Sequence, residues 1–97
     1  MKKTKSLAQF FKIQNQLEAL HGEISILSKR KPDDAVNTFK LNYINQVLSE
    51  ANSILDENYI PLNGFNTFDL DNLPTNSDVV VILSQYIKCF HRQYADM

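Results

Sequence analysis

Apolar residues recur at three- and four-residue steps from Leu7 to Leu27, and Pro32 ends the pattern. This feature constrains the chain most, because a long stripe of that period folds only as a helix needing a partner for one face. Leu7, Phe10, Leu17, Leu20, His21, Ile24 and Leu27 share the stripe. Ser6 is the expected N-cap of a helix over residues 6–29. Lys29, Arg30 and Lys31 stand where cations suit a helix C-terminus, and proline cannot continue it. At 1.5 Å per residue this helix is about 36 Å long.

Two further segments repeat the pattern. Residues 34–58 place Val36, Leu41, Ile44, Val47, Leu48, Ala51, Ile54 and Leu55 on one stripe, with Asp33 or Asp34 as the expected cap. The short connection through Pro32 predicts an antiparallel hairpin of the first two helices. Residues 78–95 carry Val79, Val80, Leu83, Tyr86, Ile87, Phe90 and Tyr94, with Ser77 as the expected cap. The run Val79–Leu83 taken alone also suits a buried strand. Its helical period continues to Tyr94 and no second strand is available to pair with it, so a helix is expected. Ile82 and Cys89 lie seven apart beside the stripe, where they would widen the core face or form a dimer seam.

The fold expected is therefore all-α: a long antiparallel helical hairpin plus a third helix, a three-helix bundle in one domain over residues 1–97. An ordered aromatic and acidic loop, residues 59–76, precedes the third helix. Connections this long are uncommon in compact domains. This one holds Tyr59, Ile60, Leu62, Phe65, Phe68, Leu70 and Leu73, too many apolar groups to leave in water. Either it folds back as a lid over the bundle end, or the FNTFDLDNLP segment docks on another protein.

Composition removes several classes. Cys89 is the only cysteine, which rules out an intramolecular disulfide and a cysteine-rich zinc site. The longest apolar run is far below the ~18–20 residues of a membrane span, so no membrane association is expected. The N-terminal lysines lack the apolar stretch of a signal peptide, which points to the cytoplasm. Two glycines, Gly22 and Gly64, cannot build a phosphate-cradling loop.

Net charge is only −1, but it is segregated: residues 1–31 hold seven Lys/Arg and two Glu, whereas residues 32–78 hold one Lys and eight Asp/Glu. Such segregation makes neighbouring helices attract one another, or offers an acidic face to a basic partner. Lys2, Lys3 and Lys5 mark one end of the first helix and Lys29 to Lys31 the other. The acidic middle argues against a basic stripe and so against direct nucleic-acid contact.

Glu18 and His21 stand at i, i+3 on one helical face, the spacing used in di-metal bundles, but those need two such pairs and two more inward carboxylates. Cys89 and His91 diverge on a helix and make neither a metal pair nor a nucleophile–base pair. The run Asp69-Leu70-Asp71-Asn72 fails as a calcium loop, because Pro74 falls where glycine is needed. No catalytic residue, metal site or cofactor is expected.

Helix one carries a second feature. Opposite its core stripe lie Ala8, Phe11, Asn15, Ala19, Gly22 and Ile26. Small residues there would admit another backbone, with Phe11 and Ile26 bracketing the contact, unless the third helix wraps further round. The expected partner-binding residues are Phe11, Ala19, Gly22 and Ile26, with Phe65, Phe68, Asp69 and Asp71 of the loop. The function expected is a non-catalytic protein–protein interaction module: a small accessory subunit, or an inhibitor of antitoxin or immunity type, binding another protein or a second copy of itself. The alternatives are a helical subunit of a nucleic-acid complex and a metal enzyme using Glu18 and His21.

Overall fold

A computed structural model describes residues 7–97. It contains three helices, α1 (Leu7–Arg30), α2 (Thr38–Ile54) and α3 (Asn76–Ala95), with a 3-10 turn at Glu57–Tyr59. No described residue belongs to a multi-residue strand. The bundle is 40 Å along its longest axis, so α1 runs nearly its full length. The expected cap Ser6 lies outside the described residues.

Each helix buries one stripe. Phe10, Ile13, Leu17, Leu20 and Ile24 of α1 meet Leu41, Ile44, Val47, Leu48, Ala51 and Ile54 of α2 and Val79, Leu83, Tyr86 and Phe90 of α3 in one core. Leu7 and Tyr94, expected on the stripes, are half exposed where α1 begins and α3 ends. Ile82 and Cys89 pack against the core.

The structure moves the start of α2. Neither Asp33 nor Asp34 caps it: Asn37 does, its side chain accepting from the Lys40 N–H at 2.8 Å. The residues expected to open the helix are instead extended and pair across the molecule. Val36 N–H donates to Pro74 at 2.9 Å and Asn76 N–H to Asp34 at 2.9 Å, an isolated antiparallel bridge around Ala35 and Thr75. The buried Asn76 amide also donates to the Lys31 carbonyl at 2.9 Å, near the end of α1. A backbone engaged in these bonds cannot also form the first turn of a helix.

The cap of α3 is Thr75, not Ser77. Thr75 and Asp78 form a reciprocal capping box, which satisfies two of the donors a helix N-terminus leaves open. At the other end of the bundle Gln93, almost fully buried on α3, holds the end of α2. It accepts from the Asp56 N–H at 2.8 Å and donates to the Ile54 carbonyl at 3.3 Å. The helix accordingly stops at Ile54, short of residue 58.

These contacts set the topology. α1 is antiparallel to both neighbours: Phe10 meets Phe90, with ring centroids 4.8 Å apart, while the segment after α1 meets the start of α3. α2 and α3 are parallel, since Asn52 meets Tyr86 and Asp56 meets Gln93. The closest backbone pairing is between α1 and α3, with α2 more loosely set against α1.

Parallel helices require a connection that returns the length of the bundle, and residues 55–75 make that return. They do not form a lid on the bundle end. The chain passes Asn52 at Asn66, Asn45 at Phe68 and Val36 at Pro74, running back along α2. Tyr59, Ile60, Phe65, Phe68 and Leu73 pack on the core as it goes. Gly64, at φ 82°, supplies the one left-handed turn on this path.

Candidate functional site

The outer face of α1 is open. Ala8, Asn15, Ala19, Gly22 and Ile26 are all exposed, and α3 does not wrap round to cover them. A Cβ built on Gly22 would meet no neighbouring atom within 4 Å. Among the described residues nothing therefore requires glycine there, although it costs about 1 kcal/mol against alanine in mid-helix. Beside this face, Asn15, Ala19, Leu20, Glu23 and Tyr43 line a shallow groove of about 270 Å³ between α1 and α2.

Two aromatic residues of α2 extend the apolar surface. Tyr43 is 43% exposed and Phe39 84% exposed, one helical turn earlier. α2 is antiparallel to α1, so Phe39 lies toward the level of Ile26, itself 59% exposed. Sequence reasoning missed both aromatic residues. Their signal was available: an i, i+4 pair on the side of the helix away from Leu41.

Phe11 stands at the α3 edge of this face, 37% exposed and about 20° round α1 from Gly22 at ~100° per residue. There it stacks edge-on against Tyr94, with centroids 5.2 Å apart, and against Phe10 at 5.6 Å. Ile26 is about 22 Å further along the helix.

The loop residues divide between two roles. Phe65 and Phe68 turn inward, 5.1 Å apart by ring centroid, with Phe65 beside Tyr86 at 6.5 Å. Asp69 and Asp71 stay exposed, Asp69 accepting from the Asp71 N–H at 2.9 Å in a local turn. Between this segment and α3 runs an open groove of about 480 Å³, walled by Phe65, Phe68 and Leu73 on one side and Val81 and Ile82 on the other. Asp78 and Asn72 line its polar parts.

The titratable groups considered for chemistry are dispersed. Glu18 faces His91 across the α1–α3 seam at 3.5 Å, with both side chains about half exposed. An ion pair this exposed contributes about 0–1 kcal/mol, and only when the imidazole is protonated. Among the described residues no three His, Cys, Asp or Glu side chains gather to hold a metal. Burial pushes the Cys89 thiol up from its ordinary value, away from the thiolate that reactive cysteines need.

Arg30, Lys31 and Lys40 line a third groove of about 270 Å³, which also contains Asp34. Lys2, Lys3 and Lys5 lie outside the described residues. Among the described residues, no helix is long and apolar enough to cross a membrane. No protein-family model, curated protein or solved structure matches this chain.

Proposed function

We propose that this chain is a non-catalytic protein-binding module that engages its partner through the outer face of α1 and the adjoining flank of α2. Ala19, Gly22 and Ile26 supply the floor, and Phe39 and Tyr43 supply the anchors. The observation that carries this reading is the open space over Gly22 together with Tyr43, 43% exposed in the groove beside Ala19, and Phe39, 84% exposed one turn earlier on α2. An aromatic side chain left in water beside a backbone that admits close approach is the composition of an interface centre. Burying Ile26 and Phe39 would contribute about 3–6 kcal/mol before the costs of association.

This face would accept a different protein or a second copy; we take a different protein, with the chain as an accessory subunit or an inhibitor, and we place it in the cytoplasm, where its lone thiol stays reduced. The nucleic-acid alternative rests on Arg30, Lys31 and Lys40, and the Asp34 carboxylate in the same groove weakens it.

The test combines solution mass with variant capture. Light scattering over a concentration series should give the monomer mass of 11.2 kDa. A protein retained by the native chain should be lost from an Ile26→Asp, Phe39→Asp variant whose thermal unfolding is unchanged. A concentration-dependent dimer broken by these substitutions would replace the different partner with a second copy. Capture that ignores both substitutions would remove the α1 face from the function.

A further inference from the structure

The groove between the returning segment and α3 lies on the other side of the molecule from the α1 face, because the segment covers α2 and α3 where α1 does not. Its walls combine apolar side chains with Asn72 and Asp78, and they are incompletely covered: Val81 is 57% exposed on α3. The volume of about 480 Å³ exceeds what one side chain fills. It falls within the ~300–1,000 Å³ of natural binding pockets.

The returning segment and α3 as far as Lys88 carry only negative charge, while Arg30, Lys31 and Lys40 gather around Asn76, two residues before Asp78. No lysine or arginine occurs between Lys40 and Lys88, whereas Glu50, Asp56, Glu57, Asp69, Asp71 and Asp78 all fall in that interval. Asp78 lines the groove, and Asp69 and Asp71 flank its lining residues Phe68 and Asn72. Among the described residues none of these three carboxylates is in an ion pair. The nearest cation along α3 on the side of Val81 is Lys88, two turns on and about 10 Å away. That distance is about a Debye length at physiological salt, so Lys88 does little to neutralise the rim.

A trough with apolar walls and an acidic rim, in which Asp78 also caps α3 and Asp69 also accepts from the Asp71 N–H, suits an occupant that is both apolar and basic. We propose that this groove binds a lysine- or arginine-rich amphipathic helix of another protein, with apolar anchors against Phe68, Leu73, Val81 and Ile82 and basic side chains against Asp69, Asp71 and Asp78. Anchors at i, i+3 or i+4 and i+7 would run along the trough, and the basic flanks would set orientation and on-rate. This inference rests on the reading of the chain as a protein-binding module, but it uses a separate surface.

The probe is a fluorescein-labelled helical peptide with leucines at i, i+4 and i+7 and lysines elsewhere. Its control carries glutamates in place of the lysines. Anisotropy should show binding of the lysine peptide, weakening at least tenfold for Asp71→Lys and, separately, for Val81→Glu, and weakening with salt. Amide resonances of Leu73, Val81 and Ile82 should shift in the titration. The Ile26→Asp, Phe39→Asp variant should bind as the native chain does, so failure of the α1 face and failure of the groove are told apart. Equal binding of both peptides, absence of binding at millimolar peptide, or resonance shifts confined to α1 would each overturn the proposal. Val81 is exposed on a helix surface, so Val81→Glu keeps the test valid if Asp71→Lys disturbs the turn.

Discussion

Asn45 and Phe68 exchange two hydrogen bonds: the Asn45 amide donates to the Phe68 carbonyl at 2.9 Å and accepts from the Phe68 N–H at 2.8 Å. One side-chain amide thus does for the returning segment what a neighbouring strand would do. It satisfies both backbone groups of the residue whose ring is turned inward, and it fixes which stretch of the return faces the groove.

Asn45→Ala should therefore destabilise the domain by about 1–3 kcal/mol, because the Phe68 backbone loses both partners in a half-buried place. That is a large share of the ~5–15 kcal/mol total of a small domain, yet not all of it. Urea unfolding should show a lowered midpoint. Amide exchange at Phe68 should speed up more than exchange within α1.

Gly22→Ala should stabilise the isolated chain by up to about 1 kcal/mol, since the new methyl group meets no neighbour and the helix gains propensity. Thermal unfolding measures this directly. No gain, or a loss, would show that Gly22 serves the fold of the domain itself.

Alkaline pH should weaken the fold. Burial pushes the Tyr86 phenol up from its usual value, while its bond to Asn52 opposes the shift. The hydrogen bond to Asp96 raises Tyr59, with desolvation adding to it. A folded-state value above the unfolded one means that the folded protein holds the proton more tightly. The associated stability is present in full below the unfolded value of about pH 10 and is lost as pH rises through the raised folded values. Melting temperatures should hold with respect to these groups up to about pH 10 and then fall. The fall should be shallower in Tyr86→Phe.

The candidate surfaces were partly legible in the sequence. Ala19, Gly22 and Ile26 were identifiable because a helix places i, i+3 and i+7 together whatever surrounds it. Phe11 was identifiable on the same face, but its contact with Tyr94, a residue more than eighty positions away, was not. The groove was legible only in part: Phe65, Phe68, Asp69 and Asp71 stood out in the sequence, but their placement beside Val81 and Ile82 depends on the route of the returning segment.

The three helices, the stripe each one buries and the uneven placement of charge follow from helical period and composition, which are local properties of the chain. That Asn37 caps α2, that Gln93 holds its end and that α2 runs parallel to α3 come from long-range packing. Those outcomes depend on backbone and amide hydrogen bonds between segments roughly forty residues apart. Caps at Asp33 or Asp34 compete with such bonds locally and lose, because the bridge to Pro74 and Asn76 satisfies the same backbone while burying Val36.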